Sequence, residues 1–176
     1  MKISSRVVLA VALLGLSGQL FAYEHPRMLG LNYTLGPSFI AGGGDATDAS
    51  SVEPGVGAGL VYNLMPNIDV RMDYDYTDAD LHSQAITFGG TFRLKAGSTW
   101  SPYAGGGLGF GKPVRGEGWD HVSLKLIAGM DTDLTPNVSL GPTITYQYID
   151  GPEWFSSIHT FMPGIRLTYY FATSRI

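Results

Sequence analysis

The 176-residue chain contains no cysteine, which excludes disulfide staples, thiolate metal sites and thiol nucleophiles. It also lacks a basic excess. Eleven Lys and Arg stand against 15 Asp and Glu, so the positive face that a nucleic-acid binder needs is missing. After residue 22 no stretch repeats apolar residues at a helical period. The one long apolar run is N-terminal: Lys2 and Arg6, then Val7 to Leu16, then small and polar residues ending in Phe21-Ala22. That is the layout of a cleavable secretory signal peptide over residues 1–22. A bilayer-spanning anchor needs about 20 apolar residues, more than this run supplies. Cleavage would leave residues 23–176, a one-domain length, with 9 basic residues against 15 acidic and a net charge of about −6.

What the chain has in quantity is glycine and aromatics: 24 Gly, 10 Tyr, 8 Phe and 3 Trp. It also repeats a phrase. Residues 64–76 read "LMPNIDVRMDYDY" and residues 134–146 read "LTPNVSLGPTITY". In each, a Pro-Asn turn precedes apolar residues at every second position, the signature of a hairpin bend feeding a strand. Eight stretches share this period: Leu29 to Ile40, Val56 to Leu64, Ile68 to Tyr76, Gln84 to Leu94, Tyr103 to Phe110, Val122 to Asp131, Val138 to Ile149 and Phe161 to Phe171. Their connections alternate. The Pro-Asn turns and Ala96 to Ser101 are short; Ala41 to Pro54, Thr77 to Ser83, Lys112 to His121 and Asp150 to Ser157 are longer and rich in Gly, Asp and Ser. The expected fold is all-β, an eight-stranded antiparallel up-and-down transmembrane β-barrel with short turns at one end and loops at the other.

Parity divides the strand residues into two unlike sets. One is uncharged and apolar, including Leu31, Leu60, Val70, Phe88, Leu126, Leu140 and Ile165. The other holds Gly, Thr and Asn together with Asp69, Arg71, Asp73, Asp75, Arg93, Lys125, Asp131 and Arg166. A soluble lipocalin-like barrel would turn the apolar set inward, and an outer-membrane barrel would turn it outward. The near balance of the charged set favours an interior network, where each charge needs a partner. Aromatics favour the same orientation by forming two girdles: Tyr62, Phe92, Tyr103, Tyr169 and Phe171 towards the short turns, and Phe39, Tyr76, Phe110, Tyr148 and Phe161 towards the loops.

With its signal peptide, eight strands, Pro-Asn turns, "SPYAGGGLGFG" at residues 101–111 and "GIRLTYYF" at 164–171, the chain resembles the small outer-membrane β-barrel proteins, the opacity-protein and OmpA/OmpX/OmpW-like group. The resemblance implies an integral outer-membrane protein with surface-exposed loops, contact with outer-membrane lipid and lipopolysaccharide, and no cofactor. It also implies that the barrel-assembly machinery reads the terminal aromatic of the last strand, here Phe171. A host or cell-surface partner would be met by the loops; a narrow pore and a lipid-modifying enzyme are the rival functions.

Residue types that could carry chemistry have plainer readings. His121 and Ser123 form a His-x-Ser pair, but their parity turns them into the lumen, away from a lipid ester. His82, His121 and His159 fall near the loop end on mixed parities, unsuited to a shared metal. The aspartates from Asp69 to Asp80 lack the glycine of a calcium loop, and "GGGLGFG" lacks the Lys-Ser/Thr of a phosphate loop. No catalytic or metal residue is assigned. If the third and fourth stretches turn around Asp78 to Asp80, Asp69 faces Arg93. Pro37, Pro142 and Pro163 fall inside the first, seventh and eighth stretches, where their missing donors would weaken one seam; a bulge or water-satisfied defect without traffic is the plainer outcome, and a lateral route to the interior is the alternative.

Overall fold

The computed structural model describes residues 29–42, 51–65, 67–77, 83–94, 100–113, 118–135, 137–151 and 157–171. The signal-peptide expectation lies outside them, as does His82. Eight strands, β1 (Leu29–Gly42), β2 (Ser51–Met65), β3 (Ile68–Thr77), β4 (Ser83–Arg93), β5 (Trp100–Lys112), β6 (His121–Thr135), β7 (Val138–Ile149) and β8 (Ile158–Phe171), pair antiparallel in sequence order. β8 pairs back onto β1 and closes the barrel. At 10–15 residues each, the strands match the length that a tilted β-strand needs to cross a bilayer.

The duplicated phrase performs one structural task twice. Between β2 and β3 the register shifts from Asn63:Asp69 to Met65:Ile68, and between β6 and β7 it shifts the same way, from Asp133:Ser139 to Thr135:Val138. In each copy the Asn after the proline then offers its carbonyl to a neighbouring strand. Asn67 O accepts from Arg93 N at 2.8 Å, and Asn137 O from Tyr170 N at 2.7 Å. A bulged turn that also caps the next strand explains why the same residues recur.

Several strands run longer than the sequence alone suggests. β1 reaches Gly42 and β2 starts at Ser51, so Pro54 belongs to a strand and the first loop spans only 43–50. β5 begins at Trp100. The β3–β4 hairpin closes at Thr77:Ser83, which sets Asp69 opposite Thr91 rather than opposite Arg93.

The apolar parity faces outward. Leu35, Phe88, Leu108, Leu126 and Ile165 are all more than half or about half exposed, while Asp69, Arg71, Lys125, Asp131 and Arg166 are buried. Among the described residues, the outward strand positions carry no charged side chain until Lys112 at the loop end. Nine of the ten aromatics expected in the girdles take the outward parity, and one does not. Tyr103 shares the parity of Gly105 and Gly107, and it is buried in the lumen beneath Arg166, whose guanidinium carbon sits 3.7 Å from the ring centroid. Trp100, exposed at the start of β5, occupies the rim in its place.

Burying Leu126 in lipid has a measurable consequence. Leu126→Arg should cost about 2–4 kcal/mol of folding stability in vesicles, the depth-dependent penalty of a lipid-facing cation. Urea titration of vesicle-inserted protein checks this, and unchanged stability would mean that the wall does not face lipid.

Candidate functional site

Two groups of charges fill the lumen. Towards the short turns, Arg93 Nη2 donates to Asp69 Oδ2 at 3.1 Å and to the Tyr170 hydroxyl at 3.1 Å, while Nη1 lies 3.5 Å from Asp131 Oδ2. Arg166 Nη2 donates to the same Asp131 oxygen at 2.5 Å. Asn63 and Thr91 also donate to Asp69. Higher up, Arg71 Nε and Nη2 grip Asp73 at 2.7 and 2.9 Å, and Lys125 Nζ bonds Asp75 at 2.6 Å and Asp73 at 3.2 Å. All eight charged residues expected inside are inside, and each has an opposite partner. The Asp69–Arg93 pair forms diagonally, two residues off the register once expected for it.

Glycines give these side chains their room. Arg71 and Lys125 lie on one cross-strand row whose two intervening members are Gly89 and Gly107. A Cβ on Gly107 would stand 2.8 Å from Phe88 O. Asn32 reaches across Gly59 to Asp73 at 3.3 Å. The cavities beside Arg71 and beside Asp75 each measure about 10 Å³, room for a single water at most.

Above the charges, towards the loops, the lumen holds a lid of mixed apolar and hydroxyl side chains, Ser38, Thr77, Ser83, Ser123 and Thr160 being buried there too. Ile40, Ala85, Ile149 and Ile158 are essentially fully buried there, and Met162 lies just below. The sequence carried a signal for this lid: each of these residues falls on the polar parity of its strand, next to Ser38, Thr87, Gln147 or Thr160.

The prolines divide between two interfaces. Because Tyr170 donates its amide to Asn137 O, even members of β8 aim their amides at β7, and odd members, Pro163 included, aim theirs at β1. The partner of Pro163 in the continuous β1–β8 register is Pro37. Neither has an N–H, so a pair that should exchange two hydrogen bonds makes none. The pairing indeed stops at Leu35:Ile165 and resumes at Phe39:Phe161. Behind this lapse, Ser38 Oγ and Thr160 Oγ1 are buried without a hydrogen-bond partner among the described residues. Pro142 stands apart. Asp150 N donates to Val122 O, so even members of β7 aim at β6, and the missing donor of Pro142 falls opposite Met130, where that pairing also lapses. The pairing of β7 with β8 is continuous.

Of the histidines, His121 sits beside Asp120 and does not engage Ser123, which is fully buried and accepts from Gln147 Nε2 at 3.2 Å. His159 is outward and hydrogen-bonded at both ring nitrogens, an arrangement the sequence reading missed because its partners come from a different strand and from a loop end. Among the described residues no three His, Asp or Glu side chains are grouped as a metal ion would need.

No family model matches the chain, and no curated protein does. Solved structures do. Neisserial surface protein A superposes with a TM-score of 0.69 at 15% identity, covering 81% of this chain and 97% of its own. The N-terminal β-barrel domain of Pseudomonas aeruginosa OprF gives 0.57 at 14% identity, covering 82% and 99%. Ail, the attachment invasion locus protein of Yersinia pestis, gives 0.52 at 17% identity, covering 82% and 100%. The fold is therefore that of the small eight-stranded outer-membrane barrels, closed and entirely antiparallel.

Both the network and the lapse are open to measurement. Arg93→Ala strands Asp69 and leaves Asp131 to Arg166 alone, so it should cost about 3–5 kcal/mol in detergent-micelle unfolding. The pair Asp69→Asn with Arg93→Gln should cost less, because no charge is left alone, yet not zero, since Asp131 and Tyr170 still lose a donor. Equal losses from the single and the paired change would exclude the coupling. For the prolines, amide exchange in micelles should be faster at Leu35, Phe39, Phe161 and Ile165, whose amides face the lapse from either side, than along β3 to β5, and uniform protection around the barrel would exclude a weak closure.

Proposed function

We propose that the protein is an integral outer-membrane barrel, exported by its cleavable signal peptide, that displays its loops at the cell surface to engage a partner. The observation that supports this most is the filled lumen: among the described residues, paired charges below and buried apolar and hydroxyl side chains above occupy the space a solute would need. The wall then meets membrane lipid and lipopolysaccharide, and Phe171, exposed at the end of β8, suits recognition by the barrel-assembly machinery.

Charge narrows the partner. The four loops carry Asp45, Asp48, Asp78, Asp80, Glu117, Asp120, Asp150 and Glu153 against only Arg115. A basic surface fits them electrostatically. Ail, by its description, binds the heparin analogue sucrose octasulfate, a polyanion. The acidic loops here oppose transfer of that ligand to this chain.

Two experiments decide between display and a narrow pore. Purified protein in planar bilayers should give no steady open-state current. Proteoliposomes bearing it should be retained on a polylysine surface and pass a heparin surface, and removal of 43–50 together with 78–80 should weaken the retention. Steady current, or retention that ignores the loops, would overturn the proposal.

A further inference from the structure

The outer wall carries a polar arrangement that neither the lumen nor the loop charges account for. At the loop end of β8, Ser157 Oγ lies 3.1 Å from His159 Nε2, and the other ring nitrogen, Nδ1, lies 2.7 Å from the Tyr146 hydroxyl. Ile158, between Ser157 and His159, is fully buried on the lumen side, which turns its two neighbours outward. Tyr146 is outward by the same logic, set between buried Thr145 and Gln147. The imidazole is held in place by rings: Tyr148 packs against it edge-on at 5.3 Å, and Tyr146 lies 6.1 Å away. Tyr148 is itself fixed by donating to Asp150 at 3.2 Å.

A hydroxyl, an imidazole and a group that orients the imidazole, in that order, are the parts of an activated serine. When Tyr146 accepts from Nδ1–H, Nε2 is left with its lone pair facing Ser157 Oγ, the tautomer a general base requires. We propose that Ser157 and His159 form an acyl-transfer site on the outside of the barrel, Ser157 as nucleophile and His159 as base, with Tyr146 as a positioning residue. The substrate class follows from the surroundings. Phe161, exposed on the same strand and 6.4 Å from Phe39, continues an apolar track below the site. An ester whose acyl chain lies along that track brings its carbonyl level with Ser157. This substrate assignment rests on the reading that the wall meets lipid.

In the acylation step Ser157 Oγ attacks the ester carbonyl carbon while its proton passes to His159 Nε2. The Oγ–acyl bond forms, the ester C–O bond breaks, and the alcohol departs with that proton. Water, deprotonated by the same nitrogen, then cleaves the Oγ–acyl bond, releasing the carboxylic acid and returning the serine hydroxyl. No redox partner or metal enters the balance.

An alkyl fluorophosphonate tests the nucleophile in detergent micelles, with folding followed by gel mobility with and without heating. The folded protein should be labelled at Ser157, mapped by peptide mass spectrometry. Ser157→Ala should abolish the label, and His159→Gln should slow labelling about 100-fold, the lower end of general-base assistance. Tyr146→Phe should shift the pH dependence of labelling, which a merely structural tyrosine would not do. No label on folded wild-type protein, or labelling that Ser157→Ala or His159→Gln leaves intact, would overturn the proposal. Because micelles replace the membrane, this chemistry can succeed even if the lipid-facing wall fails its own arginine test; in that event the acyl-transfer site stands and its lipid substrate does not.

Discussion

A closed eight-stranded barrel has an interior only wide enough for side chains, and this one puts charges there. Each of those charges must meet an opposite one without water to screen it, since an uncompensated charge costs several kcal/mol. Partners on adjacent strands are easily reached. Partners two or three strands apart are not, unless the strands between them present nothing. Gly89 and Gly107, which leave room between Arg71 and Lys125 for both cations to reach Asp73, and Gly59 between Asn32 and Asp73, are therefore part of the charge network even though they carry no charge. At these three positions glycine has its cause in the electrostatics.

The same constraint shapes the wall. With every inward position committed to filling or pairing, the outward positions bear the whole apolar burden, and closure depends on backbone hydrogen bonds. Where Pro37 meets Pro163, two donors are absent from one pair, at the joint between the first strand and the last. A loss of this kind between consecutive strands would be held by the hairpin. Between β1 and β8 no hairpin holds it. Phe39 and Phe161, packed just above, and the close backbone approach of Gly164 to Leu35 and Gly36 are what tie this level of the barrel together.

Strand number, the alternation of turns and loops and the inward charges could all be read from period-two patterning, because a strand fixes the facing of each residue by parity alone. Errors arose where parity was applied loosely or where contacts lie off the row. Tyr103 has the ring of a girdle residue but the inward parity of Gly105. The Asp69–Arg93 pair was right in chemistry and wrong in register, because long side chains bond diagonally and the turn length was not known. The proline seam required knowing which neighbour each amide faces, information that no residue pattern contains. The Ser157–His159–Tyr146 arrangement was illegible for a related reason: Tyr146 lies diagonally across β7 from His159, and parity says which face a residue takes without saying which neighbours it touches.

A barrel that fills its interior has moved every remaining degree of freedom to its surface. Lumen residues cannot change singly without leaving a charge, a void or a clash, so new contacts can only be made by loops and by outward positions near the loop end. The charge distribution follows this division: balanced inside, where neutrality is required, and strongly acidic in the loops, where water screens repulsion. His159 lies at the meeting point of the two regimes. It is outward, yet hydroxyl partners meet both ring nitrogens and two tyrosine rings pack beside it, above continuously paired β7 and β8 whose inner face buries Ile149 and Ile158. The strand pairing that closes the barrel thus also sets an outward imidazole beside its partners.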